Sequence, residues 1–327
     1  MRLVQLGGLF ILAWSIPYAI RRLDDRLTAR AQVSLYVAAL AAILGTTVAL
    51  LLVAMAPEVL AAENLVEVFR ACFGALRTIL SHPAAHVPAL LAAGVLALVV
   101  VRSALAALRL TAAALRVRRE AERLRDPSGD SMIEPRWRDD IIVTSQDEAV
   151  AYVAGIVSPV IVVSAGLLLS LDAGERIATL AHEEAHRRGR HPWLLIVAGA
   201  VARGLSPLPP VRHAFTGLRR ALEARADDAS ARFVDVTTLA RAIGKAALGP
   251  AAASAPGMGE SDIVWRVRRL LDPPRPRRLA AAALLVATLA IFLSAQMITV
   301  TSASSLLAAA EQAGHHCRIP GWAPPSI

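Results

Sequence analysis

Four long stretches without a charged side chain constrain the fold of this 327-residue chain more than any other feature. A membrane-spanning helix needs about 20 consecutive apolar residues. The composition agrees, since 56% of the residues are hydrophobic but only 4% are aromatic, whereas a soluble domain is about 45–50% apolar. We therefore predict an α-helical multipass protein of the cell membrane, embedded in the lipid bilayer. The predicted transmembrane helices lie at about 3–20, 31–56 and 78–101, within residues 1–107, and at 279–300.

Arginines between these stretches predict the orientation of the chain. Basic loops stay on the cytoplasmic side of a membrane, and arginines cluster at residues 21–30, after residue 101 and just before residue 279. Acidic residues outnumber basic ones at 57–77. We therefore expect both termini outside and the segment 102–278 in the cytoplasm. Basic loops also explain the net charge of +9, and no direct nucleic-acid binding is expected, because no basic run is interleaved with stacking aromatics.

Turn residues and hydrophobic pattern divide the cytoplasmic segment into three parts. Residues 108–140 predict a helix followed by a linker. Residues 141–248 predict an inserted α+β domain, in which short β-branched strands precede the helices. Residues 249–278 predict a mobile loop and a basic amphipathic helix on the inner membrane surface. Residues 301–327 are then a short extracytoplasmic tail.

One helix of the α+β domain has clear start and stop signals. Asp172 and Glu175 have the spacing of a capping box, in which each side chain accepts a backbone N–H of the other. Gly189 followed by Pro192 predicts the end of this helix. The residues between these signals include the strongest chemical motif of the chain.

This motif is His182-Glu183-Glu184-Ala185-His186, an H-E-x-x-H pattern. In a helix, His182 and His186 lie one turn apart on the same face, so both imidazoles can bind a single Zn²⁺ ion. Glu183 follows the first histidine and can accept a proton from the attacking water as a general base. The pattern predicts one zinc site per chain.

A catalytic zinc site commonly has three protein ligands, and a helix predicted at about 210–233 can supply the third. Glu223 and Asp227 are four residues apart and therefore share a face of this helix. Glu223 can complete the ligand set, while Asp227 can hold a ligating histidine through its second ring nitrogen. His191 is an alternative ligand or a loop histidine. His213 is a possible donor to the transition-state oxyanion or a histidine near a helix start.

These motifs resemble those of the BlaR/MecR-type antirepressor membrane metallopeptidases, gluzincins whose catalytic core is related to the HtpX group. The resemblance lies in residues 160–168, 181–191 and 222–229, and in three predicted spans before the protease domain with one after it. The β-lactam sensors of this family have a penicillin-binding domain after the last span. Residues 301–327 contain no S-x-x-K motif, so direct antibiotic sensing is not expected.

The resemblance implies a gluzincin-type zinc endopeptidase in which His182, His186 and Glu223 bind zinc and Glu183 is the base. The expected partner is a protein substrate at the cytoplasmic face. The family association suggests that this substrate is a transcriptional repressor in a signalling pathway. In such enzymes the substrate adds as a strand to an exposed sheet edge. The predicted edge strand consists of Val160, Ile161, Val162, Val163 and Ser164.

Two other functions stay open from the sequence. An HtpX-like membrane-protein quality-control protease would share the site but typically has two spans before its catalytic domain. A membrane receptor of pseudoprotease type would bind a partner without hydrolysis, although the intact motif argues against it. Cys72 and Cys317 are both predicted outside, where an oxidising environment permits a disulfide, and two unpaired thiols are the alternative.

Overall fold

The computed structural model describes residues 2–59, 83–133, 140–248, 260–273 and 277–316. The chain divides into two compact units. One unit contains Met1–Ile16, Ala41–Val101 and Val286–Ile327, and the other contains Pro17–Leu40 and Arg102–Leu285. The predictions for Cys72 and Cys317, for the loop at 249–259 and for the end of the tail lie outside the described residues.

Within the described residues, four helices are long and apolar enough to cross a membrane. In the first unit, the buried side chains of Leu6, Ala49 and Ala295 form a small apolar cluster. The third of these helices does not end with its apolar part. It continues without a break through the arginine-rich residues that follow residue 101. The four helices are α1 (Arg2–Arg22), α2 (Ala29–Val59), α3 (Pro83–Arg123) and the last described helix, α10 (Arg278–His316).

The second unit contains a three-stranded sheet of order β1-β3-β2. Its strands are β1 (Ile141–Thr144), β2 (Ala151–Ala154) and β3 (Val160–Ser164). Strand β3 runs parallel to β1 and antiparallel to β2. The prediction that Val160, Ile161, Val162, Val163 and Ser164 form an edge strand is therefore wrong, because β3 is paired on both sides. Its continuous β-branched run is typical of a strand covered on both faces, and four of its five residues are buried.

Six helices lie between the sheet and α10 among the described residues. Their bounds are α4 (Ala165–Ser170), α5 (Ala173–Arg188), α6 (His191–Gly204), α7 (Pro209–Ser230), α8 (Val236–Leu248) and α9 (Glu260–Leu271). The predicted capping box starts α5: Asp172 Oδ1 accepts the N–H of Glu175 at 2.8 Å, and Glu175 Oε2 accepts the N–H of Asp172 at 2.9 Å. These bonds satisfy donors that a helix start leaves free. They fix where the motif helix begins.

Small residues allow α5 and α7 to pack closely. Ala178 is fully buried, and its carbonyl accepts a hydrogen bond of 2.7 Å from Ser230 Oγ on α7. Ala178 also belongs to a buried cluster with residues of α8 and α9, including Leu239 and Leu270. One face of α9 is thus buried against protein, whereas the sequence predicts this helix on the membrane surface. The packing of α9 on α7 and α8 shapes the site described next.

Candidate metal centre

Two helices bring the predicted ligands together. His182 and His186 lie one turn apart on α5, and their Nε2 atoms are 3.2 Å apart. Glu223 extends from α7 to the same point, with Oε2 3.4 Å from His182 Nε2 and Oε1 3.6 Å from His186 Nε2. Each of the three residues offers one ligand atom, and these atoms lie within 4.8 Å of one another.

These separations fit a tetrahedral zinc ion. Zinc binds imidazole nitrogen and carboxylate oxygen at about 2.0–2.2 Å, and tetrahedral angles then place the ligand atoms about 3.3–3.6 Å apart. The two imidazoles and one carboxylate are also the ligand set of one well-known type of catalytic zinc site, which leaves one position open. The residues present therefore fit a zinc ion in both chemistry and spacing.

Asp227 lies beside His182, the histidine for which the sequence predicts a supporting carboxylate. Its Oδ1 atom lies 3.0 Å from His182 Nδ1, and Asp227 is only 1% exposed. The contact is not aligned as a straight hydrogen bond, but the carboxylate favours a proton on Nδ1. When His182 is neutral, the lone pair of its Nε2 atom therefore faces Glu223 and His186.

Charges at the site prepare one histidine to release a proton when a metal binds. Burial lowers the pKa of His182, but its contacts with Asp227 and Glu223 outweigh this and raise the pKa to about 10. Burial lowers the pKa of His186 to about 3, so this imidazole is neutral. Because a ligating imidazole must offer a lone pair, His182 would release a proton on binding a metal.

Glu183 lies beside the ligands in the wall of a cavity of about 500 Å³. Burial is the main cause that raises the pKa of its carboxyl to about 7; the charge of Glu223 adds to this effect, while those of His182 and Arg266 oppose it. A carboxyl with a pKa near neutrality can both accept and return a proton at physiological pH.

The rest of the cavity wall is mainly apolar. Residues of β2 and of the segment before it form one side of the cavity, and α8 contributes aliphatic side chains on another. A cavity with a few polar groups in an apolar wall is the usual form of a binding site. The lining residues outside the ligand set include Tyr152, Val153, Leu239, Ala242, Ile243 and Ile263.

Arg266 on α9 is a site residue that sequence reasoning misses. Its guanidinium donates to both oxygens of Asp227, at 2.8 and 2.6 Å, and Nη1 lies 3.2 Å from Glu223 Oε2. The residue pattern of α9 contains a sign of this buried arginine. Ile263, Val267 and Leu270 define the apolar face of α9 by their spacing, and Arg266 lies on that face, where an arginine needs a buried anionic partner.

Two further histidines considered from the sequence, His191 and His213, lie away from the ligand atoms. His213 stacks on Tyr18 with ring centroids 4.6 Å apart and is not among the residues that line the cavity. The prediction of His213 as a transition-state stabiliser therefore fails, since ten residues of α7 separate it from Glu223 by about 15 Å. His191 contacts His186 through Nδ1, at 2.8 Å from Nδ1 of that ring, on the side opposite the ligand nitrogen.

Comparison with known proteins gives one match. Residues 111–286, more than half of the chain, match the model of peptidase family M48. The matched range contains the sheet, α5, α7 and α9. No curated protein and no solved structure shows a significant match.

Proposed function

This chain belongs to peptidase family M48, a family of zinc metalloproteases, and we propose that it hydrolyses peptide bonds of a protein substrate at the cytoplasmic face of the cell membrane. The observation that supports this proposal best is the convergence of His182, His186 and Glu223 to zinc-like spacing beside Glu183. Four apolar helices support attachment to a bilayer. Basic loops support a cytoplasmic protease domain with both termini outside.

Each residue of the centre has a separate task in this reaction. His182, His186 and Glu223 would hold a zinc ion, which would supply Lewis acidity to polarise a carbonyl and to lower the pKa of water to about 7. Glu183 accepts the proton of the attacking water and returns it to the leaving amine. Asp227 holds the ring of His182, and Arg266 contacts the carboxylates of Asp227 and Glu223.

The edge that suits a substrate strand is β2 rather than β3. Ser164 donates to the carbonyl of Val150 at 3.0 Å, so alternation along β2 directs the backbone groups of Ala151 and Val153 away from β3. Both residues line the cavity. On that side β2 has no strand partner within the described residues, and an extended peptide can therefore pair with it.

Replacing the base tests the proposed hydrolysis. We expect Glu183→Gln to retain zinc and abolish cleavage, because the amide has no carboxylate to accept the proton but is not a ligand. Cells that express the wild type or this variant are compared by proteomics for new cytoplasmic N-termini, and zinc is measured in both purified proteins. Unchanged N-termini with full zinc content in both proteins would point to the non-catalytic receptor instead.

Proline substitutions test the substrate edge. Val153→Pro removes an N–H that faces away from β3, and proline is tolerated at such an edge position. Cleavage is expected to fall strongly while zinc content and melting temperature stay close to those of the wild type. Tyr152→Pro is the matched control, because it removes a bond to β3 and should destabilise the fold. Wild-type cleavage by the Val153→Pro protein would exclude pairing at this edge.

A cytoplasmic transcriptional repressor is the first candidate substrate. Three candidate spans precede His182 and one follows it in the described chain, which is the layout of the BlaR/MecR type. The match to family M48 does not single out that type, so HtpX-like quality control of membrane proteins is the second candidate. A tag-accessibility map that shows fewer than three spans before His182, with cleaved substrates among membrane proteins, would favour the second candidate.

A further inference from the structure

His191 contacts the proposed zinc ligand His186 on the side of the ring opposite its ligand nitrogen. It is the first residue of α6, only 1% exposed, and its Nδ1 atom lies 2.8 Å from Nδ1 of His186. The two rings are perpendicular, with centroids 4.7 Å apart. Such a distance between two ring nitrogens requires that one donates a proton to the other.

The turn between α5 and α6 is built to place this ring. Arg190 has φ 51°, the one non-glycine residue with positive φ in the described chain, and this conformation is unfavourable for an arginine. At Gly189 an added Cβ would overlap Nε2 of His191, so a side chain there would displace the ring. The conformation of Arg190 turns the chain so that His191 faces His186, and the lack of a side chain at Gly189 leaves room for the His191 ring. Strain of this kind persists where the surrounding structure requires it.

The direction of the proton follows from the other side of His186. Its Nε2 atom faces His182 Nε2 and Glu223, where a ligand lone pair is needed. The proton of neutral His186 is therefore on Nδ1, and His191 Nδ1 is the acceptor. His191 then has its own proton on Nε2, which has no hydrogen-bond partner within the part of the chain that the structure describes.

We propose that His191 is a positioning residue that accepts the Nδ1–H of His186 and thereby fixes the rotation of this ligand ring. The inference rests on the zinc site of the proposed function and assigns to His186 the kind of support that Asp227 gives to His182. A neutral acceptor suits this place, because Glu183, Glu223 and Asp227 already bring three carboxyls to the site. His191 thus orients a ligand without adding negative charge.

Zinc affinity of the full-length purified protein tests this proposal. Loss of such a supporting partner typically weakens metal binding about 10–100-fold, and we expect this loss for His191→Leu in competition with a chromophoric chelator. His191→Asn should recover most of the affinity, since its Oδ1 atom can accept near the position of Nδ1. The absorption spectrum of the cobalt-substituted protein should change in His191→Leu and return in His191→Asn. His213→Leu, at a histidine outside the site, should leave both readouts unchanged.

The outcomes separate this inference from the proposed function. A wild type that binds no zinc would remove the metal site itself. Wild-type affinity in His191→Leu, or an asparagine variant no better than the leucine variant, would overturn only the positioning role. If His191→Leu does not fold, His191→Ala replaces it, because truncation adds no bulk that must fit between α5 and α6.

Discussion

The strongest test of the buried charge network is the replacement of Arg266 by methionine. The side chain of Arg266 is 8% exposed and that of its partner Asp227 is 1% exposed. Methionine fills much of the same space but removes the guanidinium from Asp227 and Glu223. Breaking a buried ion pair by removing one partner costs about 3–5 kcal/mol. For a domain of this size, such a loss lowers the melting temperature by roughly 6–20 °C.

Thermal melts of the purified protein, with and without a chelator, measure this effect. Arg268→Met is the matched control, because Arg268 lies on the exposed face of the same helix and should change stability by no more than about 0.5 kcal/mol. Zinc stabilises the folded state that binds it, and its charge also compensates the carboxylates. The loss in Arg266→Met is therefore expected to be larger in the chelated protein than in the zinc-loaded one.

Two results would refute this reasoning. A melting temperature of metal-free Arg266→Met within the range of the Arg268→Met control would show that Arg266 does not stabilise buried carboxylates. An equal loss with and without zinc would show that the charges of α7 are not shared between Arg266 and the metal.

Two further predictions concern contacts away from the metal centre. The hydrogen bond of 2.6 Å from Lys245 to buried Glu175 keeps the pKa of this carboxyl below its usual range, although burial alone would raise it. A carboxyl with a lowered folded-state pKa stabilises the fold above its unfolded pKa and loses this effect as the pH falls through the folded pKa. Lys245→Met should therefore shift acid unfolding, followed by circular dichroism, to higher pH, and an unchanged midpoint would contradict this. A Cβ at Gly217 would overlap the buried ring of Tyr36, so Gly217→Ala should cost about 1–3 kcal/mol in thermal melts. Gly244→Ala, which meets open space, should instead gain up to about 1 kcal/mol, and equal effects would exclude the overlap.

Features that depend on short-range spacing could be predicted from the sequence. The capping box at Asp172 requires a partner three residues away, and the histidines of the motif require one helical turn. Glu223 could be predicted as the third ligand because Asp227, four residues later, lies on the same face of its helix. The capping box and the spacing of the histidines are complete within a few residues, so they depend little on tertiary contacts.

Features that depend on long-range pairing could not be predicted in the same way. The apolar run of β3 indicates a strand, but only its pairing with β1 and β2 makes it central. The contact of His191 requires a left-handed residue at Arg190, which no pattern in the sequence indicates. Arg266 lies far along the chain from Asp227, and its position on an apolar helix face was the one local sign of a buried partner.

Zinc analysis combined with X-ray absorption of the full-length protein tests the central claim most directly. We predict one zinc ion per chain, with nitrogen and oxygen neighbours at about 2.0–2.1 Å, imidazole scattering from two histidines, and loss of the metal in a His182→Ala/His186→Ala double variant. A protein purified without added chelator that holds no zinc and takes up none, or a metal with sulfur neighbours at about 2.3 Å, would contradict a centre formed by His182, His186 and Glu223.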